Sequence, residues 1–129
     1  MGMNYDPHAL SHYGGSPTRT DANRLRDKKC TEMLGKFIDI LKRTKEADGS
    51  NLFDHTILSW GTNLRHGHMI KDVPAIVAGG GNQLKLGHSI VLPEEDTPLG
   101  NLWVTLLQQA GVQVDSLGSS TGILPELLA

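Results

Sequence analysis

Two short apolar runs, each stopped by glycine, constrain this chain more than any other feature. They lie in the stretch from Asp54 to Gly81, DHTILSWGTNLRHGHMIKDVPAIVAGGG. Thr56 to Trp60 ends at Gly61-Thr62-Asn63, and Val73 to Ala78 ends at Gly79-Gly80-Gly81. Neither run alternates apolar with polar, as a strand open to water on one face would. Near-continuous apolar runs of this length suit strands covered on both faces, which predicts a layered α/β sheet with parallel strands and covering helices. Ligands of open α/β sheets bind just beyond the carboxyl ends of strands. Asn63, Arg65, His66 and His68 follow the first run at that point and are the first candidate site residues.

The two runs sit between two amphipathic helices. Ser16 and Pro17 supply an N-cap and a first helical position. Leu25, Cys30, Met33, Leu34, Phe37, Ile38 and Leu41 then recur mostly at helical spacing, predicting one buried face. Ala47-Asp48-Gly49 is the expected stop. Thr97-Pro98 opens the second helix, whose stripe is Leu99, Leu102, Trp103, Leu106, Leu107 and Ala110, with Gly111 as its C-terminal stop. His88 to Leu92, ended by Pro93 and Glu94-Glu95-Asp96, and Val112 to Leu117 read as short strands. The order suits right-handed crossovers within a single α/β domain spanning 1–129. Gly79-Gly80-Gly81 reads as a turn, because neither the Lys-Ser/Thr of a phosphate-binding loop nor a strong helix start follows it.

Bulk properties narrow the function classes. A chain of 129 residues with 38% hydrophobic and 20% charged residues and a formal charge of −2 carries no nucleic-acid signature. The charge is uneven: Arg19 to Glu46 holds nine Lys/Arg against five Asp/Glu, a solvated helix face in the simplest reading. Cys30 is the single cysteine, which excludes a disulfide within the chain. No run approaches the roughly 20 apolar residues of a membrane span. The N-terminus has neither the basic region nor the apolar core of a signal peptide, and Asp6 stands where a myristoylation motif wants Ser or Thr.

A second histidine cluster lies near the start, in YDPHALSHYGG. Pro7 and Gly14-Gly15 mark a loop; if it makes one helical turn, His8 and His12 share a face at i, i+4, a spacing that can chelate a metal. Ser11 beside them raises a nucleophile, although adjacency in sequence does not supply the geometry of a Ser–His pair. A serine esterase lacks its G-x-S-x-G elbow here and is the weakest reading.

His8-Ala9-Leu10-Ser11-His12-Tyr13 resembles the signature of the HxxSHH family, bacterial proteins of unknown function. The resemblance continues through LFDHTILSWGTNL, VPAIVAGGG, LGHSIVL, DTPLGNLWVTLLQQAGV and the terminal SSTG, so it covers nearly the whole chain. In that family the signature falls in the C-terminal part of much longer proteins, so this chain resembles a C-terminal segment. Tyr13 replaces the last histidine of the signature. His68 stands where the family keeps a histidine, and His66 is an addition.

The family is in turn similar to the alkaline phosphatase and sulfatase superfamily. That resemblance implies the C-terminal part of such a fold, a divalent metal with zinc foremost, and a small anionic ester as substrate. His8, His12, His68 and Asn63 would then hold the metal, with Ser11 and Arg65 in catalytic roles, Arg65 as an oxyanion clamp. The superfamily's acidic ligand pair is absent, because Gly61-Thr62-Asn63 occupies its place. The alternative is a non-catalytic α/β scaffold or interaction module that has lost its ligands.

Overall fold

The computed structural model describes residues 5–80, 84–93, 95 and 97–129. Gly81, Glu94 and Asp96, which the sequence assigns to a turn and a strand end, lie outside them. In order the elements are α1 (Pro7–Ser11), α2 (Pro17–Arg43), β1 (Ile57–Gly61), β2 (Ala75–Gly79) and α3 (Leu99–Gln109), with single 3-10 turns at His66–His68 and Pro125–Leu127.

The parallel, layered sheet expected from the two apolar runs is not formed. The described sheet has two strands, β1 and β2, and they pair antiparallel with Ile57 opposite Gly79 and Gly61 opposite Ala75. The reason lies in the connection. A parallel pair needs a crossover, usually a helix. Between β1 and β2 there is only the 3-10 turn at His66–His68, so the chain doubles back. Nor are the strands covered on both faces: β1 is half-buried along most of its length, and Ala75 and Ile76 of β2 are exposed. The segments 88–92 and 112–117, expected as further strands, are irregular.

Local signals set the starts of α1 and α2, whereas α3 begins at Leu99 with Pro98 as its N-cap and no side-chain cap, one residue later than Thr97-Pro98 predicts. Asp6 caps α1, its Oδ1 accepting from the Ala9 N–H at 2.8 Å, and Pro7 takes the first helical position. Leu10 is buried, and Arg26 Nη1 donates to the Pro7 carbonyl at 3.3 Å, tying α1 to α2. Ser16 caps α2 through the Arg19 N–H. That helix stops at Thr44, earlier than Ala47-Asp48-Gly49, and a bridge between Lys45 and Asn51 closes the turn that follows. Its expected buried face is only partly buried. Leu34 and Leu41 are covered, whereas Leu25, Met33 and Phe37 remain 47–60% exposed.

The core is built on α3. Leu84, Leu102, Leu106 and Leu124 form a buried cluster, and Ile57 and Val77 of the hairpin pack against it. Helix α3 also buries Asn101, Val104 and Thr105, a second face that the hydrophobic stripe did not reveal. Trp103, by contrast, is 37% exposed. The buried polar groups pin the C-terminal segment: Asn101 Oδ1 accepts from the N–H groups of Thr121 (2.8 Å) and Gly122 (3.3 Å), and its Nδ2 donates to Thr121 Oγ1. Thr105 Oγ1 donates to the Asn101 carbonyl and accepts from the Leu124 N–H at 2.8 Å. Asn101→Ala leaves these donors without a partner in a poorly hydrated place. It is expected to destabilise the protein by about 2–3 kcal/mol, read as a lower denaturant midpoint with increased exchange of the 121–124 amides.

The chain exposes 8909 Å². A compact monomer of 14.0 kDa exposes about 6,700 Å². The two-stranded sheet and α2 both present apolar side chains to water, Ile76 on the first and Met33, Phe37 and Ile40 on the second. Among the described residues, no helix is long and apolar enough to cross a membrane.

Candidate metal centre

Two loops, 56 residues apart in sequence, place three imidazoles in contact. The first is α1, where one helical turn sets His8 and its C-cap His12 on one face. The second leaves β1 and tightens into the turn His66–His68. Thr62 Oγ1 accepts from the Leu64 N–H and donates to the Leu64 carbonyl, which starts that turn. The Arg65 N–H donates to the Met69 carbonyl at 2.7 Å and closes it. Gly67 and His68 both have positive φ, 60° and 68°. Glycine adopts this conformation freely, whereas a histidine there carries strain, and such strain gathers at functional sites.

The three rings form a triangle. Centroids of His8 and His12 are 4.8 Å apart, those of His8 and His68 5.2 Å, and those of His12 and His68 4.7 Å with nearly perpendicular planes. His12 Nε2 and His68 Nε2 stand 3.2 Å apart. Two nitrogens on one tetrahedral zinc, each bonded at about 2.0–2.1 Å, stand roughly 3.4 Å apart. The three available ring nitrogens all lie within 4.8 Å of one another. Closing all three on one ion takes a side-chain adjustment of roughly 1 Å. His8 and His68 are exposed and His12 half-buried, so solvent reaches the triangle.

Electrostatics favour the ligand form at His12. Loss of hydration lowers its pKa from the ordinary 6.5, and the neighbouring charges of His68, His8 and His66 lower it further. A depressed pKa keeps the imidazole neutral, which is the form that binds metal.

The other candidates fall elsewhere or are otherwise engaged. Ser11 Oγ donates to the His8 carbonyl at 2.7 Å, so its hydroxyl serves the helical turn. Arg65 Nη1 is paired with Asp72 Oδ2 at 2.6 Å and is held by a carboxylate, with no anion clamp formed. Asn63 is exposed, and no hydrogen bond joins it to the imidazoles. His66 sets its ring against Tyr13, with centroids 4.5 Å apart and planes tilted by 53°, and its buried Nε2 has no hydrogen-bond partner. The contact between Tyr13 and His66 thus joins the second loop to the first.

One further group escaped the sequence reading. Ser50 Oγ lies 2.9 Å from His55 Nε2 and 2.5 Å from Asp48 Oδ1. The side-chain bond from Ser50, with a second from its N–H, holds the Asp48 carboxyl below its usual range. Here the carboxylate receives the serine proton directly and does not orient the imidazole, so the group stabilises a turn and lacks the relay of a nucleophilic triad.

Three imidazoles without a carboxylate suit zinc, copper or nickel and disfavour magnesium or calcium, which want oxygen. Three histidines close together at the surface can therefore bind a metal ion. Comparison with known proteins returns no matching family model, no matching curated protein and no matching solved structure.

Proposed function

We propose that this chain carries a three-histidine zinc site belonging to a metal-dependent hydrolase of phosphate or sulfate esters. The observation that carries the reading is the 3.2 Å approach of His12 Nε2 to His68 Nε2, with His8 beside them. Zinc held by three imidazoles keeps its fourth position open and supplies a Lewis acid there. His12 and His68 form the fixed edge of the site, and His8 closes onto it from the preceding turn of α1. Among the described residues no carboxylate joins the three histidines, so the site stays cationic and favours an anionic ligand. The resemblance of HALSHY to the HxxSHH signature, and of that family to phosphatases and sulfatases, supports an ester as that ligand. Arg65 would join only by exchanging Asp72 for the substrate anion.

A second reading follows from the missing carboxylates: a metal-binding or interaction module without catalysis. The test separates the two. Untagged protein is titrated with zinc by calorimetry, alongside His68→Asn, chosen because asparagine tolerates the positive φ at this position. The expected result is one zinc per chain, with affinity at least 100-fold weaker in the variant. Zinc-loaded protein is then assayed on p-nitrophenyl phosphate and sulfate. Turnover dependent on zinc supports the hydrolase, and stoichiometric binding without turnover supports the module. Equal affinity in wild type and His68→Asn would mean that the 3.2 Å contact is only an imidazole–imidazole hydrogen bond, and would overturn the site.

A further inference from the structure

The three imidazoles come from two segments: His8 and His12 from α1 and its C-cap, and His68 from the loop between β1 and β2. Helix α1 has five residues, too few to be stable alone, so its place depends on what it touches. Its Leu10 is buried, and its Pro7 carbonyl accepts from Arg26 of α2. Towards the loop it offers rings. His8 and His12 meet His68, and close by Tyr13 sets its ring 4.5 Å from that of His66. Tyr13 follows His12 directly and His66 precedes His68 by two residues, so the second contact joins the same two segments as the first. Among the described residues, the hydrogen bond that crosses between these segments is the His12–His68 contact. The Nε2 of His66 is buried without a hydrogen-bond partner, and its ring rests on packing against Tyr13.

We propose that Tyr13 and His66 are the positioning pair of the three-histidine site, and that an ion bound there cross-links α1 to the β1–β2 loop, so that metal binding and docking of α1 form one coupled equilibrium. This rests on the three-histidine site proposed above and adds how that site is assembled and controlled. The competing arrangement is chelation by His8 and His12 within one helical turn, which needs no loop. The 3.2 Å approach of His12 Nε2 to His68 Nε2 favours the cross-link, because it is close to the spacing of two nitrogens on one ion. Linkage fixes the size of the effect. A ligand that binds only the docked arrangement makes undocking rarer by one plus the ratio of free ligand to Kd, about 100-fold when zinc stands at 100 times its Kd. The same linkage runs backwards. A contact that docks α1 without touching the ion raises the apparent affinity by raising the fraction of chains ready to bind.

The test follows amide exchange of the untagged full chain by NMR, without zinc and with zinc at 100 times its Kd. In α1 the Ala9 and Leu10 amides, both bonded to Asp6, report undocking of the helix. In the loop the Leu64, Arg65 and Met69 amides, bonded to Thr62, Met69 and His66, report opening of the turn. Both groups are expected to slow by at least tenfold. Tyr13→Leu should weaken zinc binding about fivefold, the worth of an aromatic pair, and Tyr13→Phe, which keeps the ring, should restore it. Slowing confined to Ala9 and Leu10 would overturn the cross-link in favour of chelation within α1. Equal zinc affinity in wild type and Tyr13→Leu would overturn the positioning role. If either result accompanies a loss of affinity in His68→Asn, the three-histidine site stands and only the coupling falls. No zinc binding by the wild type would overturn both.

Discussion

Gly79→Ala is expected to leave this chain unable to fold. A Cβ at this position would stand 2.0 Å from the Thr56 carbonyl oxygen and 2.9 Å from that of Phe53. Both are backbone atoms, and neither is free to withdraw. The Thr56 carbonyl accepts from the Gly80 N–H at 2.7 Å, the Thr56 N–H donates to Phe53, and Thr56 Oγ1 donates to the Leu52 carbonyl. Relieving the collision separates Ile57 from Gly79, the first pair of a sheet that has only five pairs. The backbone conformation adds to the cost, since φ is +76° at Gly79. A steric conflict between main chains, on top of a left-handed conformation, is worth at least about 4 kcal/mol, a large part of the stability of a small domain. Soluble yield and the denaturant midpoint give the answer. Gly49→Ala is the control: φ is +86° there with open space around the added methyl, so a cost of about 1 kcal/mol is expected. A Gly79→Ala protein as stable as that control would refute the packing of the hairpin against 53–56.

Acidification from pH 7.5 to 5.5 is expected to weaken zinc binding by between about 10² and 10³. An imidazole with the ordinary pKa near 6.5 loses about tenfold of its neutral fraction over that range, and a three-imidazole site compounds the loss. His12 resists, because reduced hydration and the neighbouring histidines lower its pKa, which places the total below the full product. Zinc affinity measured at half-unit steps of pH checks this. A fall of less than tenfold would show that fewer than two histidines bind. The metal-free protein responds in the same direction. The unfolded state, with His12 at its ordinary value, binds more protons than the folded state between the lowered value and 6.5. Stability therefore rises with pH through that window, is complete above about 6.5, and is lost as pH falls towards the lowered value.

Local chemistry in the sequence located the two long helices. Ser16-Pro17 starts α2 where such a pair should, and Gly111 follows the end of α3, whereas the short helix α1 lies in a stretch that Pro7 and Gly14-Gly15 mark as a loop. The extent of the two strands was legible to within a residue or two from the glycines that end them. The i, i+4 spacing of His8 and His12 was also readable, because a single turn fixes it. The direction of pairing was not, since an apolar run of five residues reads alike in parallel and antiparallel sheets. The connection between β1 and β2 decided it, being a tight polar loop with no crossover helix. The same loop decided the site. Its left-handed Gly67 and His68 aim one imidazole at α1, while His66 sets its ring against Tyr13, and neither orientation follows from spacing. On α3 the stripe named Leu102 and Leu106 correctly but could not anticipate Asn101 and Thr105, whose burial depends on a C-terminal segment about twenty residues away. On α2 the stripe predicted burial of Met33 and Phe37, which this chain leaves in water. Amphipathic spacing specifies which residues share a face; only the tertiary structure supplies a surface to cover it, and here it leaves Met33 and Phe37 60% and 47% exposed.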